Sequence, residues 1–278
     1  MAEGMAMTRQ RNYDLAVSLG GACGCSKSLR NANLQFASFP FDWLNGATLR
    51  DRADLISCGF AGWLEDGLDK RPEPPGCIGE SHWQDRRYGF GLLHDFDRKT
   101  PMETALPSVK EKYARRAAHL FRLVGESRRV LLVWTDVPTS PPASDADLKY
   151  LQDAFRMRWP NVTFDVLAFR RAEGVELEDR TDTESDGIRI VTFDYMDKKV
   201  SKYGVLLAND PLLGKWLAAE YAVRDYRTAE EKKRWKRVAR QNVYRQFGGT
   251  NWLGYFIGRT QYKVYKHLKK VLQKKGVV

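Results

Sequence analysis

Three continuous apolar runs in the second half of the chain constrain its fold most: residues 129–135 (RVLLVWT), 162–169 (VTFDVLAF) and 188–193 (IRIVTF). A strand that is apolar on both of its alternating faces must be covered from both sides, which is the situation of a strand inside a parallel sheet. After the first run comes a Pro/Ser loop (VPTSPPAS), and Asp145 then opens a helical stretch to about Trp159. Strand, helix, strand is the order that builds such a sheet. Near the N-terminus, residues 13–19 (YDLAVSL) read as another short buried strand, stopped by Gly20 and Gly21, with a helix expected over 23–31 (CGCSKSLRN). The expected fold is therefore α/β: a mostly parallel sheet flanked by helices on both faces, with a basic helical C-terminal extension.

The intervening segments are read more coarsely. Residues 36–43 (FASFPFDW) are expected to be extended, because Pro40 disfavours helix before and at its own position. Leu49, Ala53, Ile56, Phe60 and Leu64 recur at helical spacing over 48–64. Residues 67–87, rich in Pro, Gly and charge, read as a loop, and 88–96 (YGFGLLHDF) as a strand. A helix is expected over 108–124, with Val109, Tyr113, Ala117, Leu120, Phe121 and Val124 on one side. The acidic stretch 171–187 reads as a surface connection and 212–226 as a helix. The organisation expected is a flexible leader (1–11), an α/β catalytic-type domain (12–225) and a basic amphipathic helical tail (226–278).

Charge separates the tail from the body. The 278 residues carry a net +11, yet residues 224–278 hold 16 Lys/Arg against 3 Asp/Glu, leaving 1–223 at −2. A nearly neutral body makes nucleic acid an unexpected partner and confines any polyanion contact to the tail. There Trp235, Ala239, Val243 and Phe247 recur every four residues between Lys and Arg. That pattern describes equally a helix lying on an anionic membrane surface, with Trp235, Arg237, Arg240, Trp252, Lys269 and Lys270 as contacts, and a helix whose apolar stripe packs on the body. No run of 18 apolar residues offers a membrane span. The N-terminus has no apolar h-region, and four cysteines are too few for a disulfide scaffold. The location expected is cytoplasmic, with peripheral attachment at the inner face of the membrane as an option.

The stretch Ser18-Leu19-Gly20-Gly21-Ala22-Cys23 is the most informative chemically. A cysteine opening a helix faces unpaired N–H groups and the positive end of the helix dipole, which favour thiolate and could receive an oxyanion. The same spacing also describes a small buried cysteine with no chemical role. Of the four histidines, His94 closes a strand and is the best-placed base, whereas His119 reads as packing, His82 as a loop residue and His267 as part of the tail. Asp95 points away from its neighbour His94 on a regular strand, so Asp42, in the apolar setting of Pro40-Phe41-Asp42-Trp43, is the carboxylate expected to orient the imidazole. Cysteine and histidine spacings are poor for zinc, and no P-loop, G-x-S-x-G or H-E-x-x-H is present. No metal or cofactor is expected.

Taken in order, S-L-G-x-x-C (18–23), L-R (29–30), P-F-D-W (40–43), H-D-F (94–96) and K-Y-x-R-R (112–116) resemble the bacterial papain-like cysteine peptidase family defined by DUF1796, over roughly residues 13–170. The resemblance implies a cysteine-dependent hydrolase or transferase with Cys23 as nucleophile, His94 as base and Asp42 as orienting acid. It also implies Gly20, Gly21, Arg30, Trp43, Asp95 and Arg116 on the substrate side, Arg30 and Arg116 as anion-binding or structural groups. The substrate is left open among peptide, glycan and lipid-linked intermediate. The rival reading is a membrane-peripheral, glycosyltransferase-like enzyme of bacterial surface polysaccharide synthesis. In it Cys23 is structural, and Gly20-Gly21 cradle a phosphate at the helix N-terminus.

Overall fold

A computed structural model describes residues 10–21, 23–73, 79–137, 140–195 and 211–237, with 260, 261, 263, 264 and 267 beyond. The chain divides into two compact units, 1–225 and 226–278. The first contains, in order, β1 (Arg11–Tyr13), β2 (Leu15–Ser18), α1 (Cys23–Asn31), a 3-10 turn (Pro40–Trp43), β3 (Asn45–Gly46), α2 (Leu49–Ser57), β4 (Leu68–Lys70), β5 (Glu80–Asp85) and β6 (Phe90–Asp97). Then follow α3 (Met102–Gly125), β7 (Arg129–Thr135), α4 (Asp145–Arg158), β8 (Thr163–Arg171), β9 (Thr181–Ser185), β10 (Ile188–Phe193), α5 (Pro211–Glu220) and β11 (Tyr221–Val223).

The main sheet has the order β2-β7-β8-β10-β9. The first four strands run parallel, and β9 closes one edge antiparallel to β10. Alternation along the strands sends Leu131, Val133, Leu167, Phe169, Val191 and Phe193 into one core with Cys25 and Leu29 of α1 and Trp216 and Leu217 of α5. Leu132, Phe164 and Val166 are equally buried on the other face, where α4 brings Phe155 to 5.3 Å from Phe164. The sheet is thus covered on both faces, as its doubly apolar strands require, each buried large side chain contributing about 1.5–3 kcal/mol. α4 starts where Ser144 and Asp147 form a reciprocal capping box, Ser144 N–H donating to the Asp147 carboxylate at 3.0 Å.

The second sheet departs from the sequence reading. Its order is β3-β6-β5-β4, all antiparallel, so residues 67–87 hold two strands rather than a loop. β4 and β5 are short, polar and half exposed; pairing with β6, rather than an apolar period of their own, makes them strands. The hairpin between β5 and β6 turns on Asp85, whose carboxylate accepts from Tyr88 N–H at 2.7 Å, and on Gly89 at φ 77°. Elsewhere α2 stops at Ser57, because Gly59, Phe60, Gly62 and Leu64 take left-handed backbone angles. α3 begins six residues earlier than its apolar pattern, with Pro107 inside it. The polar connection 171–187 contains β9, an exposed edge strand. The helix expected over 212–226 ends at Glu220, and β11 pairs in parallel with β1. Residues 40–43 coil into the 3-10 turn rather than staying extended.

In the second unit the described residues include a helical stretch over 229–237 and helical residues at 260, 261, 263, 264 and 267. Trp235 there is 37% exposed, with the Arg227 guanidinium 5.6 Å from its ring centroid, and Arg237 is exposed. Arg240, Trp252, Lys269 and Lys270 lie outside the described residues. Among the described residues no helix is long and apolar enough to cross a membrane.

Gly20 and Gly21 follow β2 at the carboxyl edge of the main sheet, where open α/β sheets place their sites. A Cβ on Gly20 would lie 2.3 Å from Cys25 Cβ, and one on Gly21 2.4 Å from Val137 Cγ2. The Gly21 N–H is used by Thr135 O at 3.3 Å, and its carbonyl accepts from Ser140 Oγ at 2.9 Å. Both glycines therefore sit where neighbouring side chains leave no room for a Cβ, and the Gly21 N–H is already engaged within the protein. Gly20→Ala should overpack this junction and lower unfolding free energy by about 1–3 kcal/mol, read from the urea midpoint; an unchanged midpoint would show that the junction yields freely.

Candidate active site

α1 and β6 bring two sequence-predicted residues together. Cys23 is the first residue of α1 and is partly exposed. The amides of a helix's first turn have no intrahelical acceptor, so the sulfur sits where N–H groups cluster. His94 comes from β6 and is 40% exposed. Its ring has two hydrogen-bonding neighbours, the Cys23 thiol and the Glu80 carboxylate. Nδ1 lies 2.9 Å from Glu80 Oε1, so Nε2 is the ring nitrogen that Glu80 does not engage.

The strand irregularity at this point aims the imidazole. Ser81 opposes Phe96 and Trp83 opposes Leu92, so His82 alone stands against residues 93–95. Such a bulge bends a strand and re-aims its side chains. Asp95 is held in the opposite sense: its carboxylate accepts from Tyr113 Oη at 2.9 Å and from Lys112, and it is 3% exposed. With both oxygens engaged inside the protein, Asp95 is an anchor for the bulge rather than the substrate-side group expected from the sequence.

Asp42 also differs from expectation. It is fully buried, and its carboxylate accepts from Arg30 (2.6 Å), Gln35 (2.9 Å) and Phe39 N–H (3.0 Å). Burial pushes this carboxyl up, against the pull of Arg30 and those hydrogen bonds. The carboxylate on His94 is Glu80, which sequence reasoning missed by assigning 67–87 to a loop. The signal was Gly89 inside DRRYG, which turns two strands into a hairpin and carries Glu80 back beside His94. Arg30 in turn lies 5.5 Å from the ring centroid of Trp43, and Trp43 meets His94 edge-on at 6.1 Å. Arg116 lies over Tyr113, 5.5 Å from its centroid, and its charge reaches Asp42.

The electrostatics favour a protonated imidazole. The hydrogen bond with Cys23, followed by the hydrogen bond and charge of Glu80, raises His94 from its ordinary 6.5 to about 9, against the opposing effect of burial. The folded value exceeds the unfolded one, so these contacts stabilise the protein fully below pH 6.5 and are lost as pH rises through about 9. Cys25, two residues on, has a different environment. It is 2% exposed, its Sγ donates to Val133 O at 3.5 Å, and burial pushes its thiol up. Cys58 is exposed, and Cys77 lies outside the described residues. Among the described residues no three His, Cys, Asp or Glu side chains form a metal-binding group.

Glu80→Gln should lower the His94 titration midpoint measured by NMR, by about one pH unit or more, because it removes the charge at Nδ1. Asp42→Asn should leave that midpoint within about 0.3 units while lowering stability, since it removes the charge that the partly buried Arg30 pairs with. The reverse pattern would return Asp42 to the imidazole.

No curated protein and no solved structure matches the chain. A family model described as "Putative papain-like cysteine peptidase (DUF1796)" matches residues 14–169, from β2 through most of β8 and including Cys23, Glu80 and His94. That stretch is more than half of the chain, and the protein belongs to this family.

Proposed function

We propose that the protein is a cysteine-dependent hydrolase or acyl transferase in which Cys23 attacks a carbonyl carbon. The observation that carries this reading is the bracketing of His94 between the Cys23 thiol and the Glu80 carboxylate. A thiol that ionises beside a protonated imidazole gives a thiolate–imidazolium pair, and the sulfur of such a pair is a nucleophile. Attack forms the C–S bond and puts negative charge on the carbonyl oxygen, which the first-turn amides of α1 receive. As the tetrahedral intermediate collapses, the bond to the leaving group breaks and His94 gives that group its proton. Neutral His94 then takes a proton from water, or from another acceptor nucleophile, as this attacks the thioester and releases Cys23. Glu80 holds Nδ1–H, so Nε2 faces the reacting atoms in every step. Trp43, edge-on to His94, forms a wall of the site.

Hydrolysis of an activated ester such as p-nitrophenyl acetate should fall at least about 100-fold in Cys23→Ala and in His94→Ala. Glu80→Gln should retain more activity and lose its alkaline limb at lower pH than wild type, whose rate should decline above pH about 9. Iodoacetamide should modify Cys23 faster than the more exposed Cys58. Equal labelling of the two thiols, with unchanged esterase activity in Cys23→Ala, would sink the proposal.

A further inference from the structure

The basic tail takes no part in the chemistry proposed for Cys23. Residues 226–278 hold 15 Lys/Arg against Glu230 and Glu231 alone, a net +13, and no acid follows Glu231. Cations at that density repel one another, and a polyanion relieves the repulsion. Nine aromatic residues are interleaved with them.

Thr228 and Glu231 start the helix over 229–237 with a reciprocal cap. Thr228 N–H donates to the Glu231 carboxylate at 2.8 Å, and Glu231 N–H donates to Thr228 Oγ1 at 3.2 Å. One of the two acids is thereby engaged at the helix start, where the dipole favours it. Lys233, Arg234, Lys236 and Arg237 follow, all exposed. Trp235 stands among them, 37% exposed, and Val264, next to the exposed Lys263, is 55% exposed. The described residues of the tail thus present cations and large apolar side chains together.

That combination decides between polyanions. Cations alone suffice to hold the phosphates of a nucleic acid. Apolar side chains kept in water beside them gain free energy where hydrocarbon lies beneath the phosphates, which is the arrangement of an anionic bilayer surface. The sequence carries the same combination further: the uncharged, aromatic stretch 251–258 (NWLGYFIG) stands between two basic segments. We infer that the tail seats the protein on an anionic lipid bilayer, with Lys233, Arg234, Lys236 and Arg237 at the headgroups and Trp235 at the acyl boundary. The inference is independent of whether Cys23 is a nucleophile.

Co-sedimentation of the full chain with phosphatidylcholine vesicles, with and without a quarter of phosphatidylglycerol, tests this. Binding should be at least about tenfold stronger with the anionic lipid at about 50 mM salt and should fall as salt rises to about 300 mM. Reversing Lys233, Arg234, Lys236 and Arg237 together to Glu should weaken it at least about 100-fold. Arg234→Lys with Arg237→Lys, which keeps the charge, should bind as wild type, and each variant should keep the wild-type far-ultraviolet circular dichroism. Trp235→Ala, unchanged in charge, should weaken vesicle binding about fivefold. Duplex DNA at equal phosphate concentration should leave the chain on the vesicles. Equal binding to neutral vesicles, or full binding by the folded charge-reversed variant, would overturn the inference. An unaffected Trp235→Ala would remove the apolar seat and with it the case for a bilayer, and displacement by the duplex would assign the tail to nucleic acid instead.

Discussion

A carboxylate with no access to water is the constraint around which the front of this molecule is assembled. Burying Asp42 uncompensated would cost far more than the net stability of a domain allows. Its compensation comes from three separate pieces of chain: Arg30 at the end of α1, Gln35 in the following loop, and the Phe39 amide at the entrance to the 3-10 turn. Gln35 carries the linkage further, its carbonyl accepting from Ser18 N–H where β2 ends at the sheet edge. Ser26 ties the 3-10 turn back to α1 by donating to Asp42 O at 3.2 Å. None of these partners can move without exposing or orphaning a buried charge, so the helix that presents Cys23 has a defined position.

A buried cation supports the other flank. Arg52 is fully buried and has no carboxylate partner among the hydrogen bonds it makes. Its guanidinium donates to the carbonyls of Gly46, Ala47 and Thr48 and lies 5.0–5.9 Å from the ring centroids of Phe41, Phe90 and Trp134. Burial lowers it to about 9. Gly46 O also accepts from Ser140 Oγ, which donates to Gly21 O as well. The backbone just before Cys23 and the start of the antiparallel sheet are therefore joined by shared acceptors. The Cys23–His94 encounter sits at the seam between a parallel sheet, which sets the helix, and an antiparallel one, which sets the imidazole.

What could be read in advance followed from short-range rules. Residues 188–193 and the helix start at Asp145 were placed well because a continuous apolar strand and a Pro/Ser loop before a helical stretch leave local patterns. Cys23 and His94 were legible as a glycine-stopped strand leading into a helix, and as the end of an apolar strand. Glu80 was not, since nothing in Glu80–Asp85 has an apolar period, and Asp42 attracted the role because an acid in an apolar setting looks functional. The burial that drew attention to Asp42 is the reason it serves the scaffold: its oxygens are consumed before any imidazole can reach them.

The sequence by itself determined the covered parallel sheet, the helix that begins at a cysteine and the charge division between body and tail. These depend on residue type at fixed spacing, which survives without knowledge of partners. Only the tertiary structure decided which acid meets His94, that Gly20 and Gly21 serve close packing, and that a three-residue bulge aims the imidazole. Those outcomes depend on pairing between residues distant in the chain, where strand register, steric exclusion and competition for buried hydrogen bonds select one arrangement from many that local patterns permit.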